Sequence, residues 1–373
     1  MPASQSPTRL PLFLAALYGL AIIYASLQPF ANWLAPLPGV PFFLFAPWPG
    51  RWVRYDVVTN VLAYVPFGFF VALIPRRHSP PAMLVAAVSA GALLSFAMET
   101  LQTFLPTRDA SLADLLANTA GGALGGALAV AFARSPDARR LVASIRERWF
   151  LQGAVGDVGL ALLAIWLVVQ ANPGIPLFAT MYDPQPQPSA TAPDIAATVV
   201  EAAHSSFQLL GVGLFLALLL RERRYVGGAT LVLIGAAALT KGIAAALLLR
   251  PAAWEHWLSP PVAVGVAAGS LLLSMAIWLP RPAQITLAAI ALLSSLLATL
   301  LAPDLLSARM PIALFNGPYG HLLNFNGLTR TVLLLWPAGA SALLFAIAGR
   351  PNWGEPQQQA PLAASGASRD PPA

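Results

Sequence analysis

Residues 99–126, ETLQTFLPTRDASLADLLANTAGGALGG, gather Glu99, Gln102, Arg108, Asp109, Asp114 and Asn118 in a chain of which only 10% is charged. Each of these groups costs on the order of several kcal/mol when left unpaired in hydrocarbon, so an apolar chain that clusters them is building something. Asp56, Asn60 and Pro66, in YDVVTNVLAYVPFGFF, supply a third face. The residue types suggest three kinds of chemistry. Glu99, the deepest acid, is the candidate proton carrier. Asp56 and Asp114 are candidates to hold a cation, or a cationic ligand group, through carboxylate oxygens. Arg108 has the planar fork that grips a phosphate or a carboxylate.

The elements that must position these groups follow from composition. The chain of 373 residues is 57% hydrophobic, with a mean hydropathy of +0.69 and an isoelectric point near 10.2. A soluble domain would be about 25% charged, so the expected class is an all-α, polytopic transmembrane helix bundle. The formal charge of +6 then reports topology and lipid contact, and no basic run is interleaved with aromatics as nucleic-acid binding would require. The absence of cysteine excludes disulfides, thiolate metal sites and cysteine nucleophiles.

Apolar runs near the length that crosses a bilayer, about 20 residues, fall at 10–28, 57–74, 82–104, 111–132, 154–171, 196–220, 226–249, 261–279, 283–302 and 329–348. These predict ten spans. The run from Leu10 to Leu27 exceeds the apolar core of about 7–15 residues in a cleaved signal peptide, which predicts an uncleaved first span. With the N-terminus inside, fourteen arginines lie in inward segments and six in outward ones. The positive-inside rule therefore predicts both termini in the cytoplasm.

Four segments predict an organisation: a four-span unit over 1–132, a basic amphipathic linker over 133–150, a six-span unit over 151–350 and a disordered tail over 351–373. The linker, ARSPDARRLVASIRERWF, has the pattern of a helix on the anionic inner leaflet and equally of a solvated connection. Residues 29–55, rich in Pro, Trp and Phe, suit an interfacial loop. Residues 172–194, Pro-rich and free of Lys and Arg, are expected to run extended over the outer surface. Residues 303–328 hold the turn-rich NGPYGHLLNFNG.

On this topology Asp56 and Asn60 (i, i+4), Glu99 and Gln102 (i, i+3), and Asp114 and Asn118 (i, i+4) each share one helical face at a similar depth. Arg108 and Asp109 lie in the turn between two of the helices, and Pro66 should kink the second span. Gly121, Gly122, Gly125 and Gly126 form two overlapping GxxxG patterns that let a neighbouring helix approach closely. Polar groups also serve as interhelical glue, at about 1 kcal/mol per pair. Three acids, three amides and an arginine at one depth exceed that need, which favours a functional polar site.

At these residues the chain resembles the VanZ-like family. The resemblance rests on the run Asp56, Asn60, Pro66, Phe67 and Gly68, on the pair Glu99 and Gln102, and on the run Asp109, Asp114, Asn118, Gly121 and Gly122, in that order and spacing. It covers about residues 10–132. It implies a multi-span bacterial membrane protein of the cell envelope, in a family named for a member linked to low-level teicoplanin resistance. It implies no particular reaction. The six further spans depart from the short family form.

In the second half, Glu201, His204 and Gln208 (i, i+3, i+7) share a face of the sixth span, and Lys241 lies within the seventh. A lysine there needs a carboxylate or carbonyl partner, and Glu201 is the natural candidate. One E-x-x-H motif falls short of the two that a bundle metal site uses, so no metal or other cofactor is expected. A buried ion pair fixing helix register competes with a second outward-facing site that adds His321 and Asn324. No zincin, Walker A, nucleophile-elbow or dinucleotide fingerprint is present in a usable context.

Three functions fit these residues. The first is an outer-leaflet site in the bacterial cytoplasmic membrane for a lipid-linked or phosphorylated envelope precursor, with or without chemistry on it. A proton-coupled transporter or flippase is the second, and a non-catalytic scaffold for an envelope-polymer assembly the third. Membrane lipids are the expected partners of all three.

Overall fold

The computed structural model describes residues 8–36, 38–48, 54–74, 79–178, 195–255, 257–301 and 320–349. The described residues form eleven α-helices: α1 (Leu10–Leu27), α2 (Arg54–Ala72), α3 (Pro80–Gln102), α4 (Leu112–Arg134), α5 (Pro136–Trp149), α6 (Ala154–Val169), α7 (Ile195–Leu219), α8 (Val226–Leu248), α9 (Pro260–Ala276), α10 (Arg281–Leu301) and α11 (Gly320–Ala348). Among them there is no strand, only an isolated antiparallel bridge between Phe150 and Leu220. The expected all-α class holds. Among the described residues, six helices are long and apolar enough to cross a membrane, and three shorter ones, Val57–Ala72, Ala154–Val169 and Pro260–Ala276, are apolar.

Helix starts follow local chemistry. Ser111 opens α4 by accepting a hydrogen bond from the Ala113 amide at 3.0 Å, and Asp114 in the first turn and Arg134 in the last complement the helix dipole. Ser135 and Ser259 cap α5 and α9 in the same way, with prolines in each first turn. Helix α2 runs through Pro66 as one continuous element.

Helices α2, α3 and α4 pack mainly on one another and on α1. The GxxxG glycines set that approach, as their spacing predicts. A Cβ on Gly121 or Gly125 would collide with the Val61 or Val65 carbonyl of α2. A Cβ on Gly122 would come within 3.1 Å of the Ala87 carbonyl of α3. Helix α1 also packs, on its other side, against α6 and α11.

The second half is centred on α7, which packs mainly on α9 and α10 and whose Leu209, Val212, Leu214, Phe215 and Leu219 are buried. Trp166, Phe178, Phe215 and Trp336 form a buried aromatic cluster, fixed by a 2.7 Å hydrogen bond from Trp336 Nε1 to the Leu162 carbonyl. Helix α8 is peripheral and largely exposed.

Two loop expectations are overturned. Residues 172–178 do not run over the surface: every one is buried, with Leu177 donating its amide to the Trp257 carbonyl. Their apolar Ile175, Leu177 and Phe178 have more to gain from the core than prolines gain from an extended path. Residues 179–194 lie outside the described residues. The turn-rich stretch is helical from Gly320, so His321 and Asn324 begin α11 and belong to no described loop. Helical pairing outweighs the glycine and asparagine signals there.

Within the segment 133–150, Pro136–Trp149 form an amphipathic helix, α5, with Leu141, Val142 and Ile145 exposed. In the 29–55 stretch, Phe30, Trp33, Phe45 and Trp48 are exposed, and Phe43 is buried. The predicted tail lies outside the described residues.

Candidate functional site

Among the described residues, front polar groups meet across helices. Asn60 Nδ2 of α2 donates to Asp114 Oδ1 of α4 at 2.6 Å. Asn118 Nδ2 of α4 donates to Ser95 Oγ of α3 at 2.9 Å. Glu99, only 3% exposed, reaches from α3 to accept the Ser111 backbone N–H, at 2.8 Å, just before α4 begins. A carboxylate at that place offsets the positive end of α4 as well as filling an orphan donor. The three walls expected from α2, α3 and α4 are thus drawn together. Helix α2 places Asp56 one turn before Asn60, and its side chain lies outside the described residues.

Gln102 and Arg108 turn the other way, towards α1. Gln102 Nε2 donates to the Ser26 carbonyl at 3.0 Å, and Arg108 Nη2 donates to the Ala25 and Gln28 carbonyls at 3.1 and 3.0 Å. These are the open carbonyls at the C-terminal end of α1, so Arg108 serves first as a helix cap. Burial lowers the pKa of this guanidinium from its ordinary value, and the nearby Glu99 carboxylate acts against that shift. Its bonds among the described residues use Nη2 alone. Asp109 is exposed in the loop beside it. The role of α1 as a fourth wall has no signal in its own apolar sequence.

Two residues that the sequence did not single out complete the site. Ser95 is fully buried, and Tyr64 of α2 is 3% exposed. The Tyr64 hydroxyl lies within electrostatic reach of Ser95 and Glu99 but makes no hydrogen bond of good geometry, and Asn118 Oδ1 likewise has no partner. Buried polar atoms are almost always satisfied, so two orphans beside Ser95 are an exception within this cluster. Neither stood out as a sequence signal, because one tyrosine or serine in an apolar span is unremarkable.

In the second half the expected pairing of Lys241 with Glu201 does not form. Lys241 is fully buried and donates to the Asn172 backbone carbonyl at 2.8 Å, while Glu201 accepts from Ser259 at 3.0 Å. The physical reason is the inward path of residues 172–178, which brings a backbone carbonyl to the lysine before any carboxylate. Asn172 in turn donates to Asn326 and Thr329 of α11. His204 and Gln208 are buried on α7, and the His321 side chain lies outside the described residues. Among the described residues no group of three or more potential metal ligands is formed.

A larger anchor escaped the sequence reading. Asp157, 1% exposed at the start of α6, accepts from Thr8 Oγ1, the Arg9 amide and Arg146 Nη2. It ties the start of α1, the end of α5 and α6 at one point.

Comparison with known proteins agrees with the motifs of the front unit. Residues 10–133 match the VanZ/LLP1 family model, and over that stretch the chain is VanZ-like. The matched segment and the long apolar helices together suggest a membrane protein. Comparisons with curated proteins and with solved structures give no significant match.

Proposed function

We propose that the VanZ-like unit presents a polar site to the outer leaflet of the bacterial cytoplasmic membrane, where it receives the headgroup of a lipid-linked or phosphorylated envelope precursor. The chain is read here as crossing the membrane about ten times, with both termini in the cytoplasm. That orientation places the ends of α1 and α3 and the start of α4 on the outer side.

One observation carries this reading. The Tyr64 hydroxyl and Asn118 Oδ1 are buried beside Ser95, and neither makes a hydrogen bond of good geometry. A cluster acting only as glue would satisfy itself, since each orphan costs about 1–3 kcal/mol. A hydroxyl-rich or phosphorylated headgroup supplies both the donor and the acceptor these atoms lack.

The test is Tyr64→Phe, which removes only the orphan oxygen. If the site is structural, this variant is neutral or more stable and nothing else changes. On the proposed function, the purified variant keeps its melting temperature and loses the headgroup lipid that accompanies the wild type, as seen by lipid mass spectrometry. An unchanged lipid complement sinks the reading.

A second reading, a proton-coupled transporter, draws on one different observation. Lys241 is a fully buried amine whose described partner is a single carbonyl, an arrangement suited to gaining and losing a proton. Transport that ignores the proton gradient rules it out.

A further inference from the structure

Helix α5 has 14 residues, so it is about 21 Å long and too short to cross a hydrocarbon core of about 30 Å. Asp137, Arg139, Arg140, Glu147 and Arg148 are exposed along it, and such charges do not stay within that core. We propose that α5 docks lengthwise on an anionic lipid surface, through an apolar face bordered by arginines. From the proposed function this needs only that the neighbouring helices cross a membrane; it is independent of the headgroup site.

The ends of α5 hold it at the level of a membrane surface. It follows α4 at Ser135, whose side chain accepts from the Ala138 amide at 3.3 Å. At its other end the Arg221 amide donates to the Trp149 carbonyl at 2.8 Å, and Arg221 Nη1 donates to the Glu147 carbonyl at 2.9 Å. Arg221 lies just beyond α7, so α5 joins the ends of two helices that are long and apolar enough to cross a membrane. Its rotation is fixed as well. Arg146 donates through Nη1 to the Leu151 carbonyl at 2.6 Å and through Nη2 to Asp157 at 2.7 Å, and the Trp149 ring stacks on Tyr225.

Held in this way, α5 presents an apolar face that packing among the described residues does not explain. Ala138, Val142, Ile145 and Trp149 share that face (i, i+4, i+7, i+11), with Leu141 beside it. Leu141, Val142 and Ile145 are 60, 52 and 37% exposed, and no residue of α5 is buried. Such a face lowers its free energy by entering the boundary between headgroups and acyl chains.

Charge selects the kind of surface. Arg139 and Arg148 fall on the two flanks of the apolar face, where they meet headgroups when the face is inserted. Arg140 pairs with Asp137 and Arg146 with Asp157, but among the described residues neither flanking arginine is in an ion pair. Glu147 lies on the opposite side of the helix. The flanks therefore complement anionic headgroups.

The chain has no cysteine, so single cysteines can carry a spin label without background. The full chain is reconstituted in vesicles of phosphatidylcholine alone and of equal parts phosphatidylcholine and phosphatidylglycerol, and label access to oxygen and to a water-soluble nickel complex is measured. Labels at Val142→Cys and Ile145→Cys are expected to give an oxygen-to-nickel ratio about threefold or more above labels at Ala143→Cys and Glu147→Cys on the opposite side. The contrast should be larger in the vesicles with phosphatidylglycerol. Arg139→Gln with Arg148→Gln should remove that increment, and Arg139→Lys with Arg148→Lys should keep most of it. Leu124→Cys, exposed near the middle of α4, supplies the bilayer reference. Nickel-accessible labels at positions 142 and 145 beside an oxygen-rich label at 124 overturn the docking and leave the membrane spans standing, whereas nickel access at all three overturns both. Poor access of both reagents to 142 and 145 puts protein on the face and also overturns the proposal. Equal contrast in the two kinds of vesicle overturns the assignment to an anionic surface.

Discussion

Lys241 and Glu99 are both buried ionisable residues on apolar helices, but their surroundings differ. Glu99 sits where a backbone amide and a helix N-terminus meet it. Among the described residues Lys241 has one carbonyl for three N–H donors, and no carboxylate lies within 4 Å of it. Desolvating an ammonium so poorly matched costs several kcal/mol by order of magnitude. Lys241→Met, similar in volume and unbranched, is therefore expected to keep or raise the melting temperature in detergent, the loss of one hydrogen bond to Asn172 being worth only about 1 kcal/mol. A fall of many degrees would show instead that the lysine is what fastens peripheral α8 to the buried 172–178 segment. The two groups also differ in what the sequence revealed. Glu99, Asp114 and Asn118 were legible because charge and amide are scarce in such a chain. The true partner of Lys241 was not, because a backbone carbonyl carries no side-chain signal.

At the scale of elements, spacing predicted contact where sterics impose it. The glycines of α4 pack its backbone against α2 and α3, and Gly125 shows how tightly. A Cβ there would meet the Val65 carbonyl and lie 2.7 Å from the Phe69 amide nitrogen. Backbone atoms cannot rotate aside as a side chain can, so Gly125→Ala must part α2 from α4. The cost of such overpacking is about 1–3 kcal/mol, and the same shift would lengthen the 2.6 Å bond between Asn60 and Asp114. Gly235 on α8 has nothing within 4 Å of a would-be Cβ. Gly235→Ala should be neutral or stabilise by up to about 1 kcal/mol through helix propensity. Unfolding midpoints of the two alanine variants in one detergent compare them directly, and equal midpoints would refute the packing account. Glycine spacing was readable here because it is local to one helix. The inward turn of residues 172–178 depends on apolar partners far along the chain, and proline content pointed the wrong way.

For the whole molecule the question is what joins the VanZ-like segment to the helices that follow it. Helix α1 packs on both sides, and Asp157 fastens its start to α6 and, through Arg146, to α5. The ion pair is short, at 2.7 Å, with side-chain exposures of 12% for Arg146 and 2% for Asp157. Removing one member of such a pair leaves an uncompensated buried charge, at a cost of about 3–5 kcal/mol. Asp157→Leu should therefore lower the unfolding midpoint strongly and free the segment around Thr8 and Arg9 for proteolysis. Arg146→Met added to Asp157→Leu removes the stranded charge and should recover much of the midpoint, because an apolar replacement of a whole buried pair is often neutral. It should not restore protection of the N-terminal segment, since the acceptor of the Thr8 and Arg9 hydrogen bonds stays absent. That split separates two roles of Asp157, charge partner and tether. If the double variant regained both stability and protection, α1 would be held by packing alone, and the two halves would be joined by apolar contact without a polar latch.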